Sequence, residues 1–227
     1  MLVVDRESKA LNPWTYLPIA GLLAAAMVAV FVAAPEEQTM GQTQRILYIH
    51  VSVAWFGLIG FLLTAGSGLV YLLRRDLTWD DWGQAAAEVG WVCSTLTLAT
   101  GSLWAHEAWN TWWTWDPRLT TSLILWTIYA GYFVVRASVA DPHRRARTAA
   151  LLAIVGALDV PLVVMATRWF RGIHPVSPAM EPSMRVVLLL TAVAFTSFFG
   201  SLLVRRRIQL ALQRQVNALE RSIMEFV

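Results

Sequence analysis

From position 104 the chain reads Trp-Ala-His-Glu-Ala-Trp-Asn-Thr-Trp-Trp-Thr-Trp-Asp-Pro-Arg-Leu-Thr. Five of its twelve tryptophans, Trp104, Trp109, Trp112, Trp113 and Trp115, fall there within twelve residues. Tryptophan favours the membrane interface, so an aromatic belt is one reading. A belt spreads its rings over many helix ends, whereas these are concentrated in one segment. The second reading is a rigid aromatic shelf for a large, planar, apolar ligand partly immersed in lipid. Asp116 and Pro117 have the types expected at the cap and first position of a following helix. Arg118 has no such structural role, and its guanidinium can fork onto a carboxylate.

Only four histidines occur: His50, His106, His143 and His174. Neutral imidazole is a common axial ligand of haem iron, and His50 and His174 fall on the same side of the chain's topology as the Trp segment. The residues alone leave haem, quinone and lipid open as ligands. His143, among arginines, reads as a solvated loop residue. The single Cys93 can form no intramolecular disulfide and reads as a small packing residue. No Cys-x-x-Cys-His occurs, so any haem here is not carried as in a c-type cytochrome. Asp159, beside Pro161, is an acid at mid-membrane depth, where such groups are costly. It reads as a neutral or hydrogen-bonded group serving backbone that the proline frees.

The elements that must position these residues are transmembrane helices. The chain is 57% hydrophobic and 15% charged over 227 residues, and a crossing needs roughly 20 mostly apolar residues. Six stretches approach that length, at about 17–34, 50–73, 85–104, 120–135, 149–166 and 186–204. The fold class expected is therefore an all-α integral membrane protein, a bundle of six transmembrane helices with an outward-facing Trp-rich loop. The first run is too long for the core of a typical signal peptide and reads as a span. Lys and Arg are retained on the cytoplasmic side. Thirteen fall on one side of this topology and five on the other, Arg45, Arg118, Arg168, Arg171 and Arg185. Both termini then lie in the cytoplasm and the loops near 35–49, 105–119 and 167–185 lie outside. The net charge of +3 reports topology and gives no sign of nucleic acid. Residues 1–204 form the membrane domain, with the Trp loop at about 104–119. Residues 205–227 place Ile208, Leu212, Val216, Leu219 and Ile223 at helical spacing, an amphipathic tail suited to the inner leaflet or to a partner.

The run Trp112-Trp-Thr-Trp-Asp-Pro-Arg-Leu-Thr resembles the WWD signature of haem-handling proteins, and its ending is most similar to the CcmC family of the cytochrome c maturation system. The likeness extends over nearly the whole chain: the size, the six helices, the signature between the third and fourth, and a His in each flanking outer loop. It implies that His50 and His174 are the axial ligands of a haem b held non-covalently and transiently at the periplasmic face. It also implies that Trp104, Trp109, Trp112, Trp113 and Trp115 form its platform, with Asp116, Arg118 and Arg45 at matching positions. His106 has no counterpart among the family's ligands. The implied partners are the haem chaperone CcmE, the ABC transporter CcmA with CcmB, and the small CcmD protein, all at the bacterial inner membrane. The implied role is haem delivery, with no catalytic residue. A CcmF- or CcsA-like haem lyase is the alternative, but that class is longer, and an acidic residue usually follows its Asp-Pro. A b-type electron carrier would set its histidines within the membrane interior. A permease would need an intramembrane polar path, for which only Asp159 is available.

Overall fold

The computed structural model describes residues 13–38, 40–174 and 180–224. The early positive residues Arg6 and Lys9 lie outside them. α1 (Leu17–Val28) ends in a π-helical turn over Ala29–Ala33. It is followed by α2 (Arg45–Arg74), α3 (Leu77–Trp109), α4 (Pro117–Ser138), α5 (Pro142–Ala157), α6 (Asp159–Trp169) and α7 (Pro182–Met224). α5 and α6 are two halves of one span, which gives six membrane helices among the described residues. The stretches 42–74, 117–138, 142–169 and 182–224 are long and apolar enough to cross a membrane, and Leu17–Ala33 is a shorter apolar helix. α3 is not among those four; its first turns carry Asp80 and Asp81, and Glu88 lies further along it.

Side chains at the helix ends set the turns. Asp76 caps α3 by accepting from the Thr78 N–H at 2.9 Å, and that bond holds its carboxyl below the usual range. Such a cap is worth about 1 kcal/mol. α2 and α3 cross closely because glycines meet there: a Cβ on Gly60 would lie 2.8 Å from the Cα of Gly90. Small residues at a crossing let backbones approach where no hydrophobic drive exists between helices. Below the crossing, Phe61 stacks on Tyr129 of α4 at 3.8 Å between ring centroids, and the Tyr129 hydroxyl donates to the Phe61 carbonyl at 3.0 Å. Ala87, Leu125, Ala153 and Val163 complete this plug.

At the arginine-rich end, the buried Arg136 forks onto Asp80 at 2.6 and 2.9 Å and donates to Gln84 at 2.6 Å, tying the end of α4 to the start of α3. Residues 205–224 continue α7 without a break and pack on the bundle. Arg206 pairs with Glu88, Arg214 with Asp81, and Arg205 lies over the Tyr16 ring. Ile208 and Ala211 are buried. His143, read as a plain loop residue, is the second residue of α5, and the Tyr71 hydroxyl donates to its carbonyl at 3.0 Å. α5 gives way to α6 at Leu158, just before Pro161. Asp159 is buried there, and its Oδ2 has no hydrogen-bond partner, so the backbone service expected of that atom is not seen.

Candidate functional site

α2 begins at Arg45 rather than at His50, which sets His50 more than a turn inside the helix and buries it. α3 runs to Trp109 because no breaker precedes Asn110, whose left-handed backbone (φ +52°) ends it. Trp104, His106 and Trp109 are therefore helical, and the loop proper is only 110–116. Asp116 then caps α4, accepting from the Leu119 N–H at 2.9 Å with Pro117 in the first turn. A Cβ on Gly172 would meet the Asp116 side chain at about 3.0 Å, so the loop before α7 lies close against this cap. That contact brings His174 toward Arg118.

These elements enclose a cavity at the end of the bundle away from its arginine cluster, with about 880 Å³ of empty space, part of it open to the surroundings. His50, His174, Trp104, Trp109, Trp113 and Arg118 all line it. Phe61, Leu125 and Val163, the top of the plug, are its apolar floor. Trp112 and Trp115 are not in its walls. They are 55% and 75% exposed, with Trp112 stacked on His106 at 4.1 Å and Trp115 edge-on to Trp113 at 5.7 Å. Arg45 is directed elsewhere, donating to the Phe31 carbonyl in the middle of the π turn. His106 neighbours Glu107 and does not reach the cavity.

Two features of the site had no reading in the sequence. The Thr100 hydroxyl lies 2.9 Å from Nδ1 of His50 and gives its own proton to the Leu96 carbonyl at 2.7 Å. With that proton on the carbonyl, the hydroxyl accepts from Nδ1, an arrangement that leaves Nε2 its lone pair for a ligand. Gly101 lies under the same ring, where a Cβ would fall 3.0 Å from Cε1. The other feature concerns the indoles. The N–H groups of Trp104 and Trp113 are buried without an acceptor in the protein. Buried donors are normally paired, and an orphan in a cavity wall is an open position for a ligand oxygen. Among the described residues no group of three His, Cys, Asp or Glu gathers to hold a bare metal ion. The site's donors are instead two imidazoles, two indole N–H groups and one guanidinium around an apolar floor. That set fits a planar macrocycle with an axially accessible metal and peripheral carboxylates, as haem is.

A six-helix membrane bundle with a cavity walled by histidine and tryptophan at one end is the class of protein that this fold and site define. The chain belongs to the CcmC family, described as heme exporter protein C, whose pattern it matches over residues 3–222. It is 34% identical to a heme exporter protein C of Bradyrhizobium diazoefficiens, over 92% of this chain and 81% of that protein. It is 32% identical to the Paracoccus denitrificans protein of that name, over 96% and 93%. With the Escherichia coli K12 protein of that name the identity is 28%, over 90% and 82%. A Marchantia polymorpha protein described as a putative cytochrome c biosynthesis ccmC-like mitochondrial protein is 30% identical over 78% of this chain.

Proposed function

We propose that this protein binds haem b, non-covalently and transiently, in the outer cavity and delivers it to the haem chaperone CcmE during c-type cytochrome maturation. The observation that carries the reading is the meeting of His50 and His174 in one tryptophan-walled cavity. Their helices and loops are far apart in sequence, and a packing role does not call for two imidazoles in the wall of a void. The names of the relatives support haem as the cargo.

In this reading the Nε2 of His50 and an imidazole nitrogen of His174 hold the iron, and Thr100 fixes the first of them in the ligating tautomer. The indole N–H groups of Trp104 and Trp113 and the Arg118 guanidinium receive the propionates, the last by charge-assisted bonds. Trp104, Trp109 and Trp113 supply rigid contact area. Asp116 and Arg45 act indirectly: the first fixes the start of α4 and so Arg118, and the second braces the start of α2. Trp112 and Trp115, exposed at the rim, offer the surface on which the chaperone docks. The protein is a delivery component; any bond formed to the chaperone is assisted only at this surface. It works beside CcmA, CcmB and CcmD in the bacterial inner membrane, with both termini cytoplasmic and the cavity periplasmic, as the concentration of arginine at the opposite end supports.

The test is to purify the full chain and record its haem spectrum with and without CcmE, for the parent and for His50→Gly and His174→Gly. Each variant is expected to lose haem, and added imidazole to restore it. A full haem complement with an unaltered spectrum in either variant overturns the bis-histidine assignment.

A further inference from the structure

A second cavity lies at the opposite, arginine-rich end. It encloses about 1560 Å³ of empty space, part of it open to the surroundings, between the start of α3, the end of α4, the start of α5 and the extension of α7. Its charged lining is Asp80, Asp81, Arg136, Arg145, Arg214, Glu220 and Arg221. Within it Asp80 is taken up by Arg136 and Asp81 by Arg214. Arg145 and Arg221 remain against the single exposed Glu220, so the cavity is net positive, although the Nε of Arg221 donates to the Asn217 carbonyl at 3.1 Å. The Nε atoms of Arg145 and Arg214 are buried and have no acceptor. Leu77, Phe133, Ala137, Leu210 and Met224 give the same cavity apolar walls.

From this pairing of unfilled guanidinium donors with apolar walls at the end of a membrane bundle, we infer a binding site for the phosphate of an anionic phospholipid. Arg145 and Arg221 contact the phosphate oxygens, and the acyl chain lies along Phe133 and Leu210. A free phosphate anion would satisfy the donors but leave the apolar walls uncovered, which favours the lipid. Basic pockets between membrane helices commonly take such headgroups. The site also assigns a role to the extension of α7, which has no part in the outer cavity. It forms one wall of this one, so a bound lipid would fasten it to the ends of α4 and α5.

The test is native mass spectrometry of the full-length protein in detergent with phosphatidylglycerol, with phosphatidylcholine, or with inorganic phosphate alone. The parent should retain phosphatidylglycerol over phosphatidylcholine by roughly thirty-fold, the equivalent of two arginines at about 1 kcal/mol each. R145Q/R221Q should abolish the preference. R144Q/R147Q, which removes two exposed charges from the same end but outside the cavity, should keep it and so control for net charge and folding. Equal retention of both lipids, an unchanged preference in R145Q/R221Q, or loss of preference in R144Q/R147Q overturns the site. So do saturation by phosphate alone and a co-purifying polypeptide in place of lipid.

Discussion

Thr100 Oγ1 stands 2.9 Å from Nδ1 of His50, so that one helix holds the imidazole and its neighbour supplies a polar contact to it. With the threonine proton on the Leu96 carbonyl, 2.7 Å away, the hydroxyl accepts from Nδ1 and Nε2 keeps its lone pair.

Thr100→Val keeps the shape and removes the acceptor. Partners behind a metal-bound histidine typically contribute 10–100-fold to affinity. Haem titration of this variant should show a loss in that range with protein yield unchanged, and Thr100→Ser should restore most of it. Parental affinity in the valine variant would deny Thr100 this role.

Gly101 gives a steric version of the same experiment. Its Cβ would sit 3.0 Å from Cε1 of His50, so Gly101→Val forces the ring to turn or shift. The expected readout is a weakened or altered haem spectrum that imidazole does not rescue, since the histidine is still present. Full rescue by imidazole would mean that the ring had left the site altogether.

How legible was all this in the sequence? The six helices were, because a membrane span is written as a long apolar run whatever surrounds it. The cap at Asp116 was too, since Asp-Pro acts within a few residues. The division of the tryptophans was not. Spacing groups Trp104, Trp109, Trp112, Trp113 and Trp115 together, while the late ending of α3 at Asn110 turns three of them into the cavity and leaves Trp112 and Trp115 outside. The positioning roles of Thr100, Gly101 and Gly172 arise only from contacts between elements distant in the chain. So does the Asp80–Arg136 pair, whose arginine had read simply as a topology signal.

That pair carries a stability prediction. Removing one partner of a buried ion pair costs about 3–5 kcal/mol, because the other charge stays behind, whereas replacing both by apolar residues is often neutral. Asp80→Ala should therefore lower thermal stability and membrane yield sharply, and Asp80→Leu with Arg136→Met should recover most of the loss. A double variant as unstable as the single one would show that the pair contributes more than mutual compensation.

The tryptophans of the cavity wall and rim allow the sharpest separation of holding haem from passing it on. Trp113 lines the cavity with an orphaned N–H, while Trp115 is 75% exposed and meets Trp113 edge-on. Burying an aromatic side chain against a ligand is worth on the order of 1.5–3 kcal/mol, roughly 10- to 150-fold in affinity. Trp113→Ala should weaken haem retention by about that factor, and Trp113→Phe should recover the contact area but not the hydrogen bond, giving an intermediate loss. Trp115→Ala should retain haem like the parent and fail in transfer to the chaperone, measured as haem appearing on CcmE after mixing with loaded protein. If Trp113→Ala and Trp115→Ala lose retention equally, the rim and the wall are one platform, and the exposed rings take part in binding. If neither variant changes retention or transfer, the cluster serves as an interfacial belt and the cavity holds its ligand through the histidines alone.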